Sequence, residues 1–155
     1  MKAEKCASMA LSIRCTLAST PDDVRKALAE VAAKLACAPS RPAPGDMWEV
    51  AIAEVLNNIV EHAYQQRSDG VIEMQLEFDA THLSARFTDY GLPMPGGTPP
   101  SGTPADLDVP LQDLPEGGFG WFLIRSLADR LEYSQEDGTN RLYLSLPISC
   151  VTGPT

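Results

Sequence analysis

The sequence has few lysines, and none of them lies after residue 34. The four are Lys2, Lys5, Lys26 and Lys34. A phosphate-binding site in the later part of the chain must therefore rely on backbone amides, arginine or a metal ion, and the P-loop ending GK[ST] is absent. Basic charge is scarce overall, since the net charge at pH 7 is −9. Because nucleic-acid binding needs a basic footprint, we expect no direct nucleic-acid partner.

Long apolar runs and cysteine pairs are also missing. No stretch approaches the roughly 20 apolar residues that cross a bilayer, and the charged start at residues 1–5 has no adjoining signal-peptide core. The four cysteines are far apart and form no CxxC pair, which favours reduced thiols over a disulfide framework or a zinc site. With 155 residues, of which 44% are hydrophobic, we expect one cytoplasmic domain over residues 1–155, with its core at about 9–147 and no membrane association.

Apolar periodicity predicts the element order β-α-α-β-β-loop-α-β-β. The first helix is predicted to begin after an N-cap at Thr20 and to end near Cys37, and the second to begin with a capping box of Asp46 and Glu49 and to end near Gln66. The strands are predicted at 9–17, 71–78, 82–88, 132–135 and 141–147, and the third helix at about 120–131. Residues 91–118, which hold more than half of the 13 prolines, predict a long functional loop. The order indicates an α+β two-layer sandwich, with helices on one face of a largely antiparallel sheet.

The second predicted helix carries a polar stripe, because Glu54, Asn58 and His62 stand at i, i+4 and i+8. The apolar stripe that should face the sheet consists of Trp48, Ile52, Val55, Ile59 and Ala63. Periodicity alone is more simply explained by a solvated helix side. Asparagine in mid-helix lowers helix propensity, however, and a carboxamide oxygen beside a carboxylate suits Mg²⁺. These two features favour a metal site.

Two glycine-containing segments follow. Asp89-Tyr90-Gly91 ends a strand. A carboxylate at such a position can accept a hydrogen bond from an exocyclic amine such as that of adenine, and a glycine after it lets the backbone approach a planar ring closely. The alternative is an ordinary Asp-x-Gly turn. Residues 116–121 read EGGFGW and precede a helix, so their amides and the helix N-terminus form an anion site without lysine. A lid hinge or a plain entry turn explains that segment equally well.

In this order, the three segments resemble the Bergerat (GHKL) ATP-binding domain, and in particular the anti-sigma-factor serine kinases. Residues 53–64 are similar to the N-box of those kinases, E-x-x-x-N-x-x-x-H-x-Y. Residues 89–91 look like the first glycine box, and residues 116–124, with Asp129 after them, look like the second. The resemblance covers about residues 9–147, and the N-box is its most discriminating part.

The resemblance implies a two-layer α/β sandwich of Bergerat type with a mostly antiparallel mixed sheet. Asn58 would bind the Mg²⁺ ion that bridges the ATP phosphates, and Glu54 would be the catalytic residue that accepts the proton of the attacking hydroxyl or orients it. Residues 92–116 would form a mobile ATP lid. The nucleotide-binding residues would be Asn58, His62, Asp89 at the adenine amino group, Gly91, Met94, Gly117, Gly118, Phe119, Gly120 and Trp121.

The resemblance also implies partners. Kinases of this kind phosphorylate a serine on an anti-anti-sigma (STAS) protein and otherwise sequester a sigma factor, and they suggest a homodimer formed through the first strand and the exposed sheet surface. Three features depart from the pattern: Trp121 replaces a smaller aliphatic residue, the first glycine box lacks its second glycine, and the lid is proline-rich. Two other functions stay open, an ATP-binding interaction module without kinase activity and the catalytic domain of a histidine kinase.

Overall fold

Seven strands and three helices make up the computed structural model, which describes residues 10–43, 45–100 and 118–152, with the backbone alone at residues 118, 119 and 152. The strands are β1 (Leu11–Ala18), β2 (Ser40–Pro42), β3 (Val71–Phe78), β4 (His82–Asp89), β5 (Arg130–Glu136), β6 (Thr139–Pro147) and β7 (Cys150–Thr152). Five of them form one sheet in the order β1-β3-β4-β6-β5, with every neighbouring pair antiparallel. Strands β2 and β7, which the sequence analysis did not predict, pair with each other in a separate two-stranded sheet.

The helices are α1 (Pro21–Ala36), α2 (Trp48–Asn58) and α3 (Gly118–Leu127). Their apolar sides and the alternating inward residues of the large sheet form one buried cluster. Trp48, Ile52, Val55 and Ile59 of the predicted apolar stripe lie in this cluster, and Ala63 is partly buried against it. The Trp48 ring meets Phe78 edge-on at 5.2 Å between ring centres. The α+β two-layer sandwich is therefore confirmed. None of the helices within the described residues is long and apolar enough to cross a membrane.

The two ends of α2 differ from the prediction. The capping box is wrong, because the residue before α2 is Met47 in a left-handed conformation (φ 52°) and makes no side-chain cap. Asp46 instead accepts a hydrogen bond from the Ser149 amide at 2.8 Å, which ties the start of α2 to the segment before β7. After Asn58 the helix widens into a π-helical turn, Ile59–Ala63, and does not continue regularly to Gln66.

The N-cap of α1 is confirmed, since the Thr20 hydroxyl accepts the Asp23 amide at 3.0 Å. Helix α3 begins two residues earlier than predicted and ends at Leu127, where β5 follows almost at once. Strands β5 and β6 extend to a tight turn in which Asp137 (φ 51°) and Gly138 (φ 76°) are both left-handed. Both strands are therefore longer than predicted. This extension of β6 adds Asn140 to the sheet, next to Asp89 in register.

Candidate functional site

A cavity of about 480 Å³ lies where α2 and its π-helical turn meet the end of β4, the first part of α3 and strands β5 and β6. Five of the residues predicted for the site line it: Asn58, His62, Asp89, Met94 and Trp121. The rest of its lining is largely apolar and includes Val55, Ile59, Ala63, Leu92, Pro93 and Leu142. A concave, mostly apolar pocket with a few polar groups is the usual form of a small-molecule site.

Asp89 is the buried carboxylate of this cavity. It is the last residue of β4 and occupies an inward position of the strand, so only 6% of its surface is exposed. Its Oδ1 accepts hydrogen bonds from Asn140 Nδ2 at 2.8 Å and from the Gly91 amide at 3.0 Å. Burial raises the pKa of the Asp89 carboxyl above its ordinary value, and these two hydrogen bonds offset part of that rise.

Gly91 lies directly against the backbone of the π-helical turn. A Cβ at Gly91 would overlap the carbonyl oxygen of Ala63, and the same oxygen accepts the Leu92 amide at 2.8 Å. The Tyr64 hydroxyl strengthens this junction, because it donates to Val71 O at 2.6 Å and accepts the Tyr90 amide at 2.8 Å. The absence of a side chain at residue 91 is thus what brings the end of β4 against the end of the helix.

Asn58 and Glu54 meet the first turn of α3. Asn58 is buried, with 7% of its surface exposed, and its Nδ2 donates to the backbone carbonyl of Glu54 at 2.8 Å. Its Oδ1 is left as an acceptor for a ligand, since no partner for it is found within the described ranges. A Cβ at Gly120 would overlap Oε2 of Glu54 and lie 3.8 Å from Asn58 Nδ2. The carboxylate and the carboxamide are therefore neighbours at the amino-terminal turn of α3.

The remaining predicted residues are placed less closely. His62 lines the cavity, but 66% of its side chain is exposed and Glu61 lies 3.8 Å from its Nε2. Glu54 is half-buried and is not part of the cavity lining. Gly118 and Phe119 are the first two residues of α3, whereas Gly117 and residues 101–116 of the predicted lid lie outside the described residues. Of the predicted polar stripe, Asn58 and His62 thus line the cavity, whereas Glu54 does not.

Among the lining residues that the sequence analysis did not predict, Asn140 and Tyr133 contribute side-chain hydrogen bonds to the site. The Asn140 amide donates to Asp89 and to Gly91 O at 3.0 Å, and its Oδ1 accepts the Tyr133 hydroxyl at 3.1 Å. That hydroxyl accepts the Met94 amide at 2.9 Å. A signal was present, because Asn140 shares the inward face of β6 with Leu142, Leu144 and Leu146. A carboxamide in an otherwise leucine series indicates a buried polar contact.

A larger groove, of about 830 Å³, crosses the face of the large sheet opposite the helices. Charged side chains of both signs line it, among them Arg14, Glu73, Arg86, Glu132 and Arg141. None of the predicted site residues is part of this groove. The smaller cavity is therefore the candidate site, because the buried carboxylate of Asp89 and the carboxamide of Asn58 both line it, next to the α3 turn where Gly120 meets Glu54.

Comparison with known proteins agrees with this geometry. A family model described as a histidine kinase-like ATPase domain matches residues 17–146. The chain belongs to that family. The predicted resemblance and the predicted fold are therefore confirmed, and all three sequence segments fall inside the matched region.

Individual relatives of this ATPase family are named serine-protein kinase RsbW. The protein of that name from Halalkalibacterium halodurans is 32% identical over 90 residues, which cover 58% of this chain and 55% of that one. The one from Staphylococcus aureus is 33% identical over 92 residues, covering 58% of each chain. The match therefore spans little more than half the length of these relatives.

A solved structure has the same fold. The crystal structure of the RsbU and RsbW domains of a Mycobacterium tuberculosis protein superimposes with a TM-score of 0.56 at 18% identity. The superposition covers 94% of this chain and 34% of that one.

Proposed function

We propose that the chain binds ATP with Mg²⁺ and transfers the γ-phosphoryl group to a serine of a STAS-type anti-anti-sigma protein, and that it sequesters a sigma factor when it is not so engaged. The observation that carries the proposal is the single cavity lined by both Asp89 and Asn58, with Glu54 against Gly120 beside it. The serine-kinase names of the relatives favour serine over histidine chemistry.

The donors and acceptors present fit ATP. Both hydrogen bonds that Asp89 accepts in the described chain go to Oδ1, so Oδ2 is available to an exocyclic amine of adenine. The close approach at Gly91 lets the end of β4, with Asp89, lie against the π-helical turn. Gly120 leaves room for the Glu54 carboxylate at the α3 turn, where amide groups and the helix dipole favour phosphate oxygens.

A magnesium site also fits the residues present. Mg²⁺ takes hard oxygen ligands and needs only one or two from the protein, with water and phosphate oxygens completing its shell. Asn58 Oδ1 is such a ligand, because Nδ2 is held by the Glu54 carbonyl. Bound there, the ion would supply neutralisation of phosphate charge. No lysine after residue 34 is available to do so.

Glu54 is the group proposed to act on the incoming hydroxyl. It lies one helical turn before Asn58, and its carboxylate is next to Gly120. In the transfer, the serine oxygen forms a bond to the γ-phosphorus as the bond to the β-bridging oxygen of ATP breaks, and the serine proton passes to Glu54. ADP leaves, and phosphoserine remains on the partner. Positioning and charge neutralisation account for most catalysis of this kind.

A second candidate is a nucleotide-binding interaction module that transfers no phosphate. Its support is the position of Glu54 outside the cavity lining. A protein that only binds ATP and a partner needs no general base. The two functions therefore agree on binding and differ on transfer.

Phosphotransfer to candidate STAS proteins from the same organism separates the two. Wild type, Glu54→Gln and the control Glu49→Gln, which alters an exposed carboxylate on the same helix, would be incubated with ATP, Mg²⁺ and each partner. We expect acid-stable phosphoserine with wild type and Glu49→Gln, and loss of transfer with retained ATP binding for Glu54→Gln. ATP binding by wild type without transfer to any partner would favour the module, and an acid-labile phosphate would favour histidine chemistry. Light scattering with and without a sigma factor tests the proposed homodimer and its sequestration complex.

A further inference from the structure

Asn140 is among the most buried polar residues of the described chain, with 2% of its surface exposed. It is the second residue of β6 and stands directly opposite Asp89 in the antiparallel register. A carboxamide is expensive to bury unless its donors and acceptor are satisfied. At Asn140 they are all satisfied, and three of the four partner residues, Asp89, Leu92 and Tyr133, line the cavity.

The partners join three separate segments. The Asn140 Nδ2 group donates to Asp89 Oδ1 at 2.8 Å, to Gly91 O at 3.0 Å and, more weakly, to Leu92 O at 3.3 Å. Its Oδ1 accepts the Tyr133 hydroxyl. One side chain on β6 thereby holds the end of β4, the carbonyl groups of Gly91 and Leu92 that follow β4 after Tyr90, and β5.

The consequence for Asp89 is geometric. Two donors, Asn140 Nδ2 and the Gly91 amide, occupy the same oxygen of the carboxylate. Because a carboxylate is planar, holding Oδ1 in this way also sets the direction of Oδ2. A positioned acceptor discriminates between purines. It receives the 6-amino group of adenine, whereas the 6-oxo group of guanine would place one acceptor against another in a buried site.

We propose that Asn140 is the positioning residue for purine selectivity: it holds Asp89 so that the site takes 6-aminopurine nucleotides and rejects those without a 6-amino donor. The proposal rests on the ATP binding proposed above. Asn140 need not contact the base, because it acts through Asp89 and the two carbonyl groups. An aspartate at residue 140 would place two carboxylates together, and an alanine would leave the acceptors without their donor.

The test compares affinities for MgATP, MgGTP and the magnesium complex of purine riboside 5′-triphosphate, which lacks the 6-amino group. Calorimetry would be run on wild type, on Asn140→Ala and on the control Ser145→Ala, which removes a buried hydroxyl from the other face of the same strand. We expect wild type and the control to prefer ATP over purine riboside triphosphate by at least about tenfold. In Asn140→Ala this ratio should fall to within about threefold of unity, while affinity for purine riboside triphosphate changes little.

The pH dependence of ATP affinity distinguishes a positioning role of Asn140 from a merely structural one, because loss of a structural residue would not shift it. Loss of the Asn140 donor favours the protonated form of Asp89, so the loss of ATP affinity on acidification should begin at a higher pH in Asn140→Ala than in wild type. If the alanine variant fails to fold, Asn140→Ser, which retains one donor, should show an intermediate selectivity ratio. A wild-type ratio in a folded Asn140 variant would overturn the role of Asn140 and leave ATP binding intact. Failure of wild type to bind ATP would overturn both proposals.

Discussion

Replacing Gly91 with alanine should cost both stability and nucleotide binding. The new Cβ would lie 2.6 Å from the Ala63 carbonyl carbon, whereas ordinary contacts begin at 3.4 Å. The two backbones must therefore separate by roughly 1 Å. The obstacle is backbone and not the end of a flexible side chain, so the structure around residue 91 can relax only a little. In the variant, the hydrogen bond from the Leu92 amide to the Ala63 carbonyl would therefore be strained.

The expected loss follows from these two effects. Overpacking costs about 1–3 kcal/mol, and a weakened hydrogen bond adds about 0.5–1.5 kcal/mol. The free energy of unfolding should fall by about 2–4 kcal/mol, which for a domain of this size lowers Tm by roughly 5–15 °C. Since Asp89 lies two residues before the displaced glycine and receives its amide, ATP affinity should fall as well.

Urea and thermal unfolding, with calorimetric ATP titration, measure both effects. Gly45→Ala is the control: its Cβ meets nothing within 4 Å, but its φ of +97° strains any side chain. Left-handed strain costs about 1–2 kcal/mol, and ATP binding should be unchanged in that variant. If Gly91→Ala is as stable as wild type and binds ATP equally well, the close approach of β4 to the π-helical turn is not what shapes the site.

Three further predictions concern the same cavity. In Gly120→Ala the new Cβ displaces the Glu54 carboxylate, so phosphotransfer should fall at least about tenfold and by more than ATP affinity does. Equal transfer rates would contradict the role of Glu54. The raised pKa of Asp89 has two consequences with opposite sign. Acidification should begin to weaken ATP binding at a pH higher than that expected for an ordinary aspartate. The contribution of Asp89 to the free energy of unfolding is fully present below the pKa of this carboxyl in the unfolded chain, and it is lost as the pH rises through the higher pKa in the folded protein. Asp89→Asn, followed by calorimetry and urea unfolding across that range, should abolish both dependences. Tyr64→Phe removes the hydroxyl that accepts the Tyr90 amide, and should lower the free energy of unfolding by about 1–3 kcal/mol; an unchanged urea midpoint would show that the hydroxyl is dispensable.

The elements that the sequence predicted well are those with strong periodicity and local capping. Thr20 caps α1 through the Asp23 amide only three residues away, so the sequence alone contains both partners. The inward alternation of β3 and β4 is equally local. Asp89 ends the inward series of β4 as its polar member, so its inward position follows from the same alternation.

The features that were missed depend on contacts distant in sequence. Asp46 has the spacing of a capping box, but its carboxylate accepts the amide of Ser149, 103 residues later. Asn140 acquires its role only because β6 pairs with β4 in the register that places it opposite Asp89. A propensity or spacing rule has no access to that register before the sheet is assembled.

The π-helical turn has a similar origin. Residues 59–63 continue the apolar and polar pattern of α2, so the sequence predicts a regular helix that ends near Gln66. In the structure, the Tyr64 amide bonds to Ile59 O at 3.1 Å, five residues back, and the widened turn presents Ala63 O to Leu92. The helix thus becomes irregular at the residues that pack against Gly91 and Leu92, which are distant in sequence. It also leaves the His62 side chain largely exposed.

Metal-dependent ATP binding is the central claim, and calorimetry tests it directly. ATP would be titrated into wild type, Asn58→Ala and the control Asn57→Ala, which alters the exposed neighbour on the same helix, with Mg²⁺ and with excess chelator. We expect wild type and the control to bind ATP at least about tenfold more tightly with Mg²⁺, and Asn58→Ala to lose that difference. Equal affinity of wild type in chelator, or no binding at all, would contradict the account.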